Sequence, residues 1–496
     1  RGRAGVAEIR YVVLSDLHFG ASNSLMISVV ERSGVAPGAT FTADPTTPSP
    51  VLTAVLDCLR HLTAGQREAP TLVLAGDVLD LALSADAVAA TAFQCFVDEA
   101  FAGAGRVFAP AVYYLPGNHD HHLWEGAREA QYIEYLKGLA AEAPMDPPWH
   151  TTRLLPDKQP PWTARDLIST LIQRRPGCAD VAVRVVYPNL ALVSPDGRRS
   201  RIVTHGHFTE PIYSLMSQLR QLLFPNQDPV AGGATIANLE AENFAWIDFF
   251  WSTLGRSGDV GEDVALIYAE LTNPVALDLL AANLVHGLVP RGHGPGWLRP
   301  FETLLLSGLA RREVKHRTGH ERATPETTLS PKGRLGLRQY LEGPLHRQLV
   351  AELGTIGADV GFVFGHTHKP FVERWSVAGY PGRVEVHNTG GWVVDTAEPA
   401  PTQGGVAVLL DDDLNVVSLQ LYRQTPDGGA GSVQLLAADA GDAGAGSGDN
   451  PLAARVAGEI DPTAEPWRAV SAAAGELIAQ RHRLQAALLA SGVTNT

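Results

Sequence analysis

The sequence predicts an α/β fold built as a two-sheet sandwich that carries a mainly helical insertion. Short β-type runs end repeatedly in polar clusters and alternate with helix-like segments through the first part of the chain. From Val181 onward the rhythm changes to closely spaced strands, and a second β-rich block runs from Val360 to Tyr422. The two blocks are read as completing one sandwich. Between them, 208–357 reads mostly helical.

Arg10 to Leu14 runs into Ser15-Asp16, Thr71 to Leu74 into Gly76-Asp77, and Ala111 to Leu115 into Gly117-Asn118. Such runs suit buried strands whose C-terminal loops carry chemistry. Val51 to Leu62 and Val88 to Phe101 read as the helices between them. Val181 to Tyr187, Leu190 to Val193 and Arg201 to Thr204, joined by turn residues, read as antiparallel sheet. Arg198, Arg199 and Arg201, beside the Pro195-Asp196-Gly197 turn, read as a solvated hairpin tip.

In the insertion, Pro211 stands at a first helical position with Ile212, Leu215, Met216, Leu219 and Leu223 on one face, and Asn273-Pro274 opens another helix. Phe244, Trp246, Ile247, Phe249, Phe250 and Trp251 make a segment apolar nearly all round. It is read as the core of a cap, with a face for an apolar ligand as the alternative. The Gly-, Ala- and Asp-rich stretch 425–450 reads as a flexible linker. It leads to an Ala-rich helix, about Pro466 to Ala490, with Trp467, Val470, Leu477, Leu484 and Leu488 on its apolar side. That side is read as packing on its own domain or on a partner subunit.

With 496 residues the chain has room for a large core, and 45% apolar with 19% charged residues excludes wholesale disorder. The longest apolar stretches, such as Val275 to Val289, are broken by Asp278, Asn283 and His286, so no transmembrane helix is expected. No separate apolar core with a cleavage site stands before Ile9 to Leu14, so no secretory signal is read. Three widely spaced cysteines, Cys58, Cys95 and Cys178, argue against a disulfide framework and a thiolate metal cluster, and a cytoplasmic location is expected. A net charge of -14 argues against general nucleic-acid binding.

Five clusters at predicted strand ends supply oxygen and imidazole donors for a dinuclear metal site. They are Asp16-Leu17-His18, Gly76-Asp77-Val78-Leu79-Asp80, Gly117-Asn118-His119-Asp120, His205-Gly206-His207 and Gly365-His366-Thr367-His368. Such donors suit two divalent ions of Mn, Fe or Zn. In an extended segment residues i and i+2 project to one side, so Asp16 with His18, and His366 with His368, can each aim two ligands at one place. Each cluster alone also has an ordinary structural reading, such as a cap, a turn or a core histidine. The conjunction of five favours the metal site.

In these motifs the chain resembles the calcineurin-like metallophosphoesterases, whose signature is D-x-H, G-D-x-x-D, G-N-H-D/E, a lone His and G-H-x-H in that order. The likeness covers Ile9 to His205 and Val360 to Tyr422. It implies an α/β/β/α sandwich in which Asp16, His18 and His368 hold one ion, Asn118, His205 and His366 the other, and Asp77 bridges them. It also implies ions about 3.5 to 4 Å apart sharing a hydroxide that attacks a phosphate mono- or diester. His119 is then placed to protonate the leaving oxygen, with Asp80 holding its ring. His121, His122 and His207 are read as ordinary packing or surface residues, with contact to substrate or to a ligand as the alternative. His387-Asn388-Thr389-Gly390-Gly391-Trp392 is similar to a turn that supports the ligand loops.

The resemblance divides the chain into a catalytic domain (1–207 and 358–424), a helical cap (208–357), the linker 425–450 and a C-terminal helical segment (451–496). Protein phosphatases of this superfamily carry Arg-Gly after the second aspartate and end the third motif in Glu, whereas here Leu81-Ala82 and Asp120 stand in those places. A protein phosphatase is therefore not expected, and the expected partner is a phosphoester substrate. An amphiphilic one, with lipid contact through the cap, is the alternative substrate. A weakly catalytic metal-bound binding module is the alternative function.

Overall fold

The computed structural model describes residues 7–32, 40–158, 166–223, 234–253, 326–438 and 450–493. Among these, one sheet has the strand order β14-β13-β12-β1-β4-β5-β6 and a second the order β10-β11-β9-β8-β7. In the first sheet β1 (Ile9–Leu14), β4 (Thr71–Leu74), β5 (Ala111–Tyr114) and β6 (Ala182–Val185) run parallel. β12 (Gly404–Asp411), β13 (Val416–Arg423) and β14 (Gln434–Leu436) extend it antiparallel beyond β1. In the second sheet β9 (Asp359–Phe364) lies parallel to both β8 (Arg199–Thr204) and β11 (Val384–Asn388), with β7 (Asn189–Val193) and β10 (Phe371–Trp375) at the edges.

Side chains alternate across these strands, and both faces are apolar. Val13, Val73, Val203, Val363 and Val408 pack in the layer between the sheets. Their neighbours Val12, Leu14, Leu72, Leu74, Phe362 and Phe364 turn outward onto helices. The result is a mixed α/β sandwich with helices outside both sheets. α1 (Pro50–Thr63) shows how the sequence sets an element: Ser49 caps it by accepting from the Leu52 N–H, Pro50 follows, and Val51, Leu52, Val55, Leu56, Leu59 and Leu62 are buried. α2 (Asp86–Phe101) buries Phe93, Phe96 and Phe101 on the same side of the sandwich.

Several sequence expectations are corrected here. The run 181–187 is not antiparallel: β6 completes the parallel part of the first sheet, and the chain crosses to the second sheet only at β7. Block 360–422 likewise divides, β9 to β11 joining the second sheet and β12 and β13 the first. A hairpin, β2 (Ile27–Arg32) with β3 (Thr40–Pro48), was not anticipated. Arg201 is not at a solvated tip. It is 4% exposed and pairs with Asp359 while donating to the Leu414 carbonyl. Within 425–450, β14 is paired with β13, so the described part of that stretch belongs to the sheet; 439–449 lie outside the described residues.

Between β8 and β9 the described part of the insertion comprises α5 (Leu215–Leu223), α6 (Ile236–Asp248), α7 (Pro331–Tyr340) and α8 (His346–Leu353); α3 (His121–Gly138) and α4 (Leu167–Gln173) lie earlier, between β5 and β6. Pro211 starts a short 3-10 turn ahead of α5. Trp246, Ile247 and Trp251 are buried, Trp246 donating to the Ile212 carbonyl at 3.0 Å, whereas Phe249 is exposed. The helix read at Asn273-Pro274 and the stretch Val275 to Val289 lie outside the described residues. α9 (Pro451–Glu459) and α10 (Trp467–Val493) close the chain. α10 packs on its own domain, Trp467 meeting His61 of α1 with ring centroids 5.6 Å apart. No described helix is long and apolar enough to cross a membrane.

Candidate metal centre

The chemistry-bearing residues gather where β1, β4, β5, β8 and β9 end. Each cluster begins just past its strand, so the topology delivers Asp16, His18, Asp77, Asp80, Asn118, His119, His205, His366 and His368 to one end of the two sheets. All nine are buried. The backbone there is not extended, as the i, i+2 reasoning assumed. Asp16, His18, Asp77, His366 and His368 all have positive φ, between 47° and 70°, and only Leu414 joins them among the described non-glycine residues. These side chains converge because the loops curl after the strands have ended. Left-handed backbone at non-glycine residues is costly and persists where surrounding structure imposes it. A Cβ at Gly365 would collide with the Asp16 carboxylate, which explains the glycine ahead of His366.

Outer hydrogen bonds fix which imidazole nitrogen faces inward. His18 gives Nδ1 to Asp80 at 2.9 Å and His368 gives Nδ1 to Asp395 at 2.6 Å, leaving the two Nε2 atoms facing each other at 3.2 Å. Asp16 Oδ1 stands 3.3 Å from His368 Nε2. His205 directs Nδ1 to the Ala75 carbonyl at 3.2 Å, so its Nε2 meets Asn118 Oδ1 at 3.0 Å and His366 Nδ1 at 3.2 Å. Nε2 of His366 points instead to Glu210, 3.4 Å away. Asp77 Oδ2 lies between the two sets, 3.6 Å from His18 Nε2 and 3.4 Å from His205 Nε2.

With those tautomers, electron pairs of four imidazoles and oxygens of two carboxylates are aimed at one small buried space. Such an arrangement repels itself unless cations occupy it. The buried groups can hold metal ions as three overlapping sets: Asp16 with His18 and His368, His18 with Asp77 and His119, and Asp77 with His205 and His366. Burial, set against Asp77 and Asp16, keeps His205 down at about 4, and burial also lowers His18, so both are neutral donors at pH 7. For Asp16 burial works in the other direction, yet the surrounding His368, His205 and His18 hold it well below the carboxylate range.

No protein-family profile matches this chain, and no curated protein matches it in sequence.

Around this centre stands a second ring of groups. Asp80 uses both oxygens, Oδ2 to His18 and Oδ1 to His119 Nδ1 at 3.2 Å, and so ties the two rings together. Asp120 accepts from the backbone N–H groups of Asp77, Val78 and Gly117, bracing two of the loops. Asn388 donates to the Gly365 carbonyl and to Thr367 Oγ1, beneath the His366 loop. Asp395 and Glu210 escaped sequence reasoning because neither belongs to a short motif. The nearest signal is that each follows one within a few residues, Glu210 after His205-Gly206-His207 and Asp395 after Gly390-Gly391-Trp392.

His121, His122 and His207 join the insertion to the site's rim. Glu240 of α6 contacts His121 Nε2 at 2.9 Å and accepts from the Tyr187 hydroxyl at 2.8 Å, while that hydroxyl lies 3.2 Å from His207 Nε2. His122 Nδ1 is 3.2 Å from Asp248. The Tyr213 ring stands edge-on to His366, centroids 5.0 Å apart. The insertion therefore borders the metal-holding cluster.

Proposed function

We propose that this chain is a two-cation hydrolase of phosphate mono- or diesters, of the calcineurin-like metallophosphoesterase kind. The observation that carries this reading is the placement of His119 and Asp80 against the cluster of inward-facing imidazoles and carboxylates. A site that only stored metal would have no use for a proton donor with its own orienting carboxylate.

In this reading Asp16, His18 and His368 would hold one cation and Asn118, His205 and His366 the other, with Asp77 facing both sets. When bound, the pair would acidify a water and offset negative charge on the phosphate oxygens. Asp80 accepts from His119 Nδ1, which leaves Nε2 to carry the proton that the departing oxygen needs. The buried loops exclude bulk water, and the curled backbone keeps the donors in place before a substrate arrives. The Tyr213 ring and Glu210 lie on the insertion's side of the centre, where they bear on which ester enters.

The test is hydrolysis of p-nitrophenyl phosphate and of bis(p-nitrophenyl) phosphate by metal-stripped protein restored with Mn, Fe or Zn. Turnover that needs metal and is abolished by Asp77→Asn is expected. Protein that takes up two ions and cleaves neither ester, nor nucleotide, phospholipid or sugar-phosphate esters, would overturn the hydrolase reading.

A further inference from the structure

α10 lies far along the chain from every motif, yet three of its residues end on loops of the metal-holding cluster. Arg481, fully buried, donates to the Ser24 carbonyl at 2.8 Å and to the Ile27 carbonyl at 2.6 Å. His482 Nδ1 donates to the Thr396 carbonyl at 3.0 Å, and Gln485 donates to the Val394 carbonyl at 3.1 Å. Residues 481, 482 and 485 share one side of the helix.

The gripped carbonyls are informative. Val394 and Thr396 flank Asp395, whose carboxylate holds His368 Nδ1 at 2.6 Å. Ser24 sends its hydroxyl to the Leu17 carbonyl, between Asp16 and His18, at 2.7 Å. The two loops are also laced to each other: Trp392 N–H donates to the Asp16 carbonyl, Leu25 N–H to the Trp392 carbonyl and Val394 N–H to the Asn23 carbonyl. Asp16, His18 and His368 are one of the three sets that could hold an ion, and α10 grips the two loops that back this set.

We infer that α10 is part of the metal centre: Arg481, His482 and Gln485 are positioning residues that hold Asp395 against His368 and fix the turn behind His18. They thereby set the affinity for the cation held by Asp16, His18 and His368. The physical reason is that a ligand histidine's orientation depends on the group bonded to its other nitrogen, and that group is only as fixed as its own backbone. The inference rests on the two-cation reading proposed above.

The experiment is Mn2+ titration of the full-length, metal-stripped chain, followed by electron paramagnetic resonance and by competition with a metal-binding dye. Wild type should take up two ions. The double variant His482→Leu/Gln485→Met should bind one of them about 10- to 100-fold more weakly and leave the other unchanged. Asp395→Asn should show the same selective loss, and adding it to the double variant should bring little further weakening, because both changes act through one carboxylate. His482→Asn keeps a donor where Nδ1 stood and should restore most of the affinity lost in His482→Leu. Gln485→Met alone, a milder change at a half-buried position, gives the same reading should the double variant fail to fold. Two ions bound with wild-type affinity in folded His482→Leu/Gln485→Met, or losses that simply add with Asp395→Asn, would overturn the inference. A wild-type chain that takes up no Mn2+ would overturn the two-cation reading itself, and the inference with it.

Discussion

Asp80 Oδ2 lies 2.9 Å from His18 Nδ1, and this contact makes Asp80 more than the partner of His119. Burial raises the Asp80 carboxyl, but the charge of His119 and the bonds from both histidines outweigh it and hold the group well below the carboxylate range. It therefore stays an acceptor for two rings at once. Asp80→Asn can accept from only one of them, so metal affinity should fall about 10- to 100-fold along with turnover. Unchanged metal binding, measured by chelator competition, would limit Asp80 to the His119 side.

Asp77→Asn should lose both ions, because Oδ2 faces His18 and His205 alike and an amide brings no charge to either cation. Metal analysis of the folded variant checks this. Two retained ions with normal turnover would remove Asp77 from the centre.

His119→Asn should keep its metal and slow the hydrolysis of alkyl esters about 100- to 10,000-fold, with a smaller loss for nitrophenyl esters that leave without help. Equal slowing of both ester types would reassign His119 to holding phosphate.

The rim of the insertion carries a pH signature. Burial opposes a charge on His121, but Glu240 and Asp248 outweigh it and raise its pKa to about 9. A pKa raised above the unfolded value near 6.5 stabilises fully below that pH, and the stabilisation is lost as pH climbs through about 9. The Tm of wild type should fall across this window, by an amount corresponding to roughly 3 kcal/mol. Glu240→Gln should flatten the decline. Parallel profiles for the two proteins would show that His121 is uncharged in the fold.

Trp246→Ala should destabilise the insertion by about 3 to 5 kcal/mol, since the ring is buried and donates a hydrogen bond to Ile212. Denaturant unfolding reads that loss. The relative rates on a short and a long-chain phosphate ester should not change. A selective loss on the long-chain ester would mean that the ring meets substrate.

Much of the centre was legible because its donors sit in short motifs directly after strands, where apolar runs stop and polar residues begin. Strand order brings Asp16, His18, Asp77, Asp80, Asn118, His119, His205, His366 and His368 to one end of the two sheets. What failed to show was set by distant partners. The alternating run at Val181 to Tyr187 looks the same in either sheet, and only its pairing with β5 decides which one it joins. Arg201 reads as surface charge until Asp359, far along the chain, is seen beside it. Asp395 carries no spacing that ties it to His368. The curl of the ligand loops is hidden too, because Asp and His adopt left-handed backbone in only a small share of their positions and the packed loops decide where.

Strand β1 takes its neighbours from opposite ends of the molecule: β4 on one side and, with Ile9 opposite Asp411, β12 on the other. A ribosome thus delivers β1 long before one of its edges can be satisfied. Until β12 emerges, that edge offers unpaired backbone to any passing strand, the condition under which nascent chains aggregate. High contact order of this kind also slows closure of the sheet. Shortened forms ending before Gly404, and so lacking β12, should therefore accumulate as insoluble material, however complete their motifs.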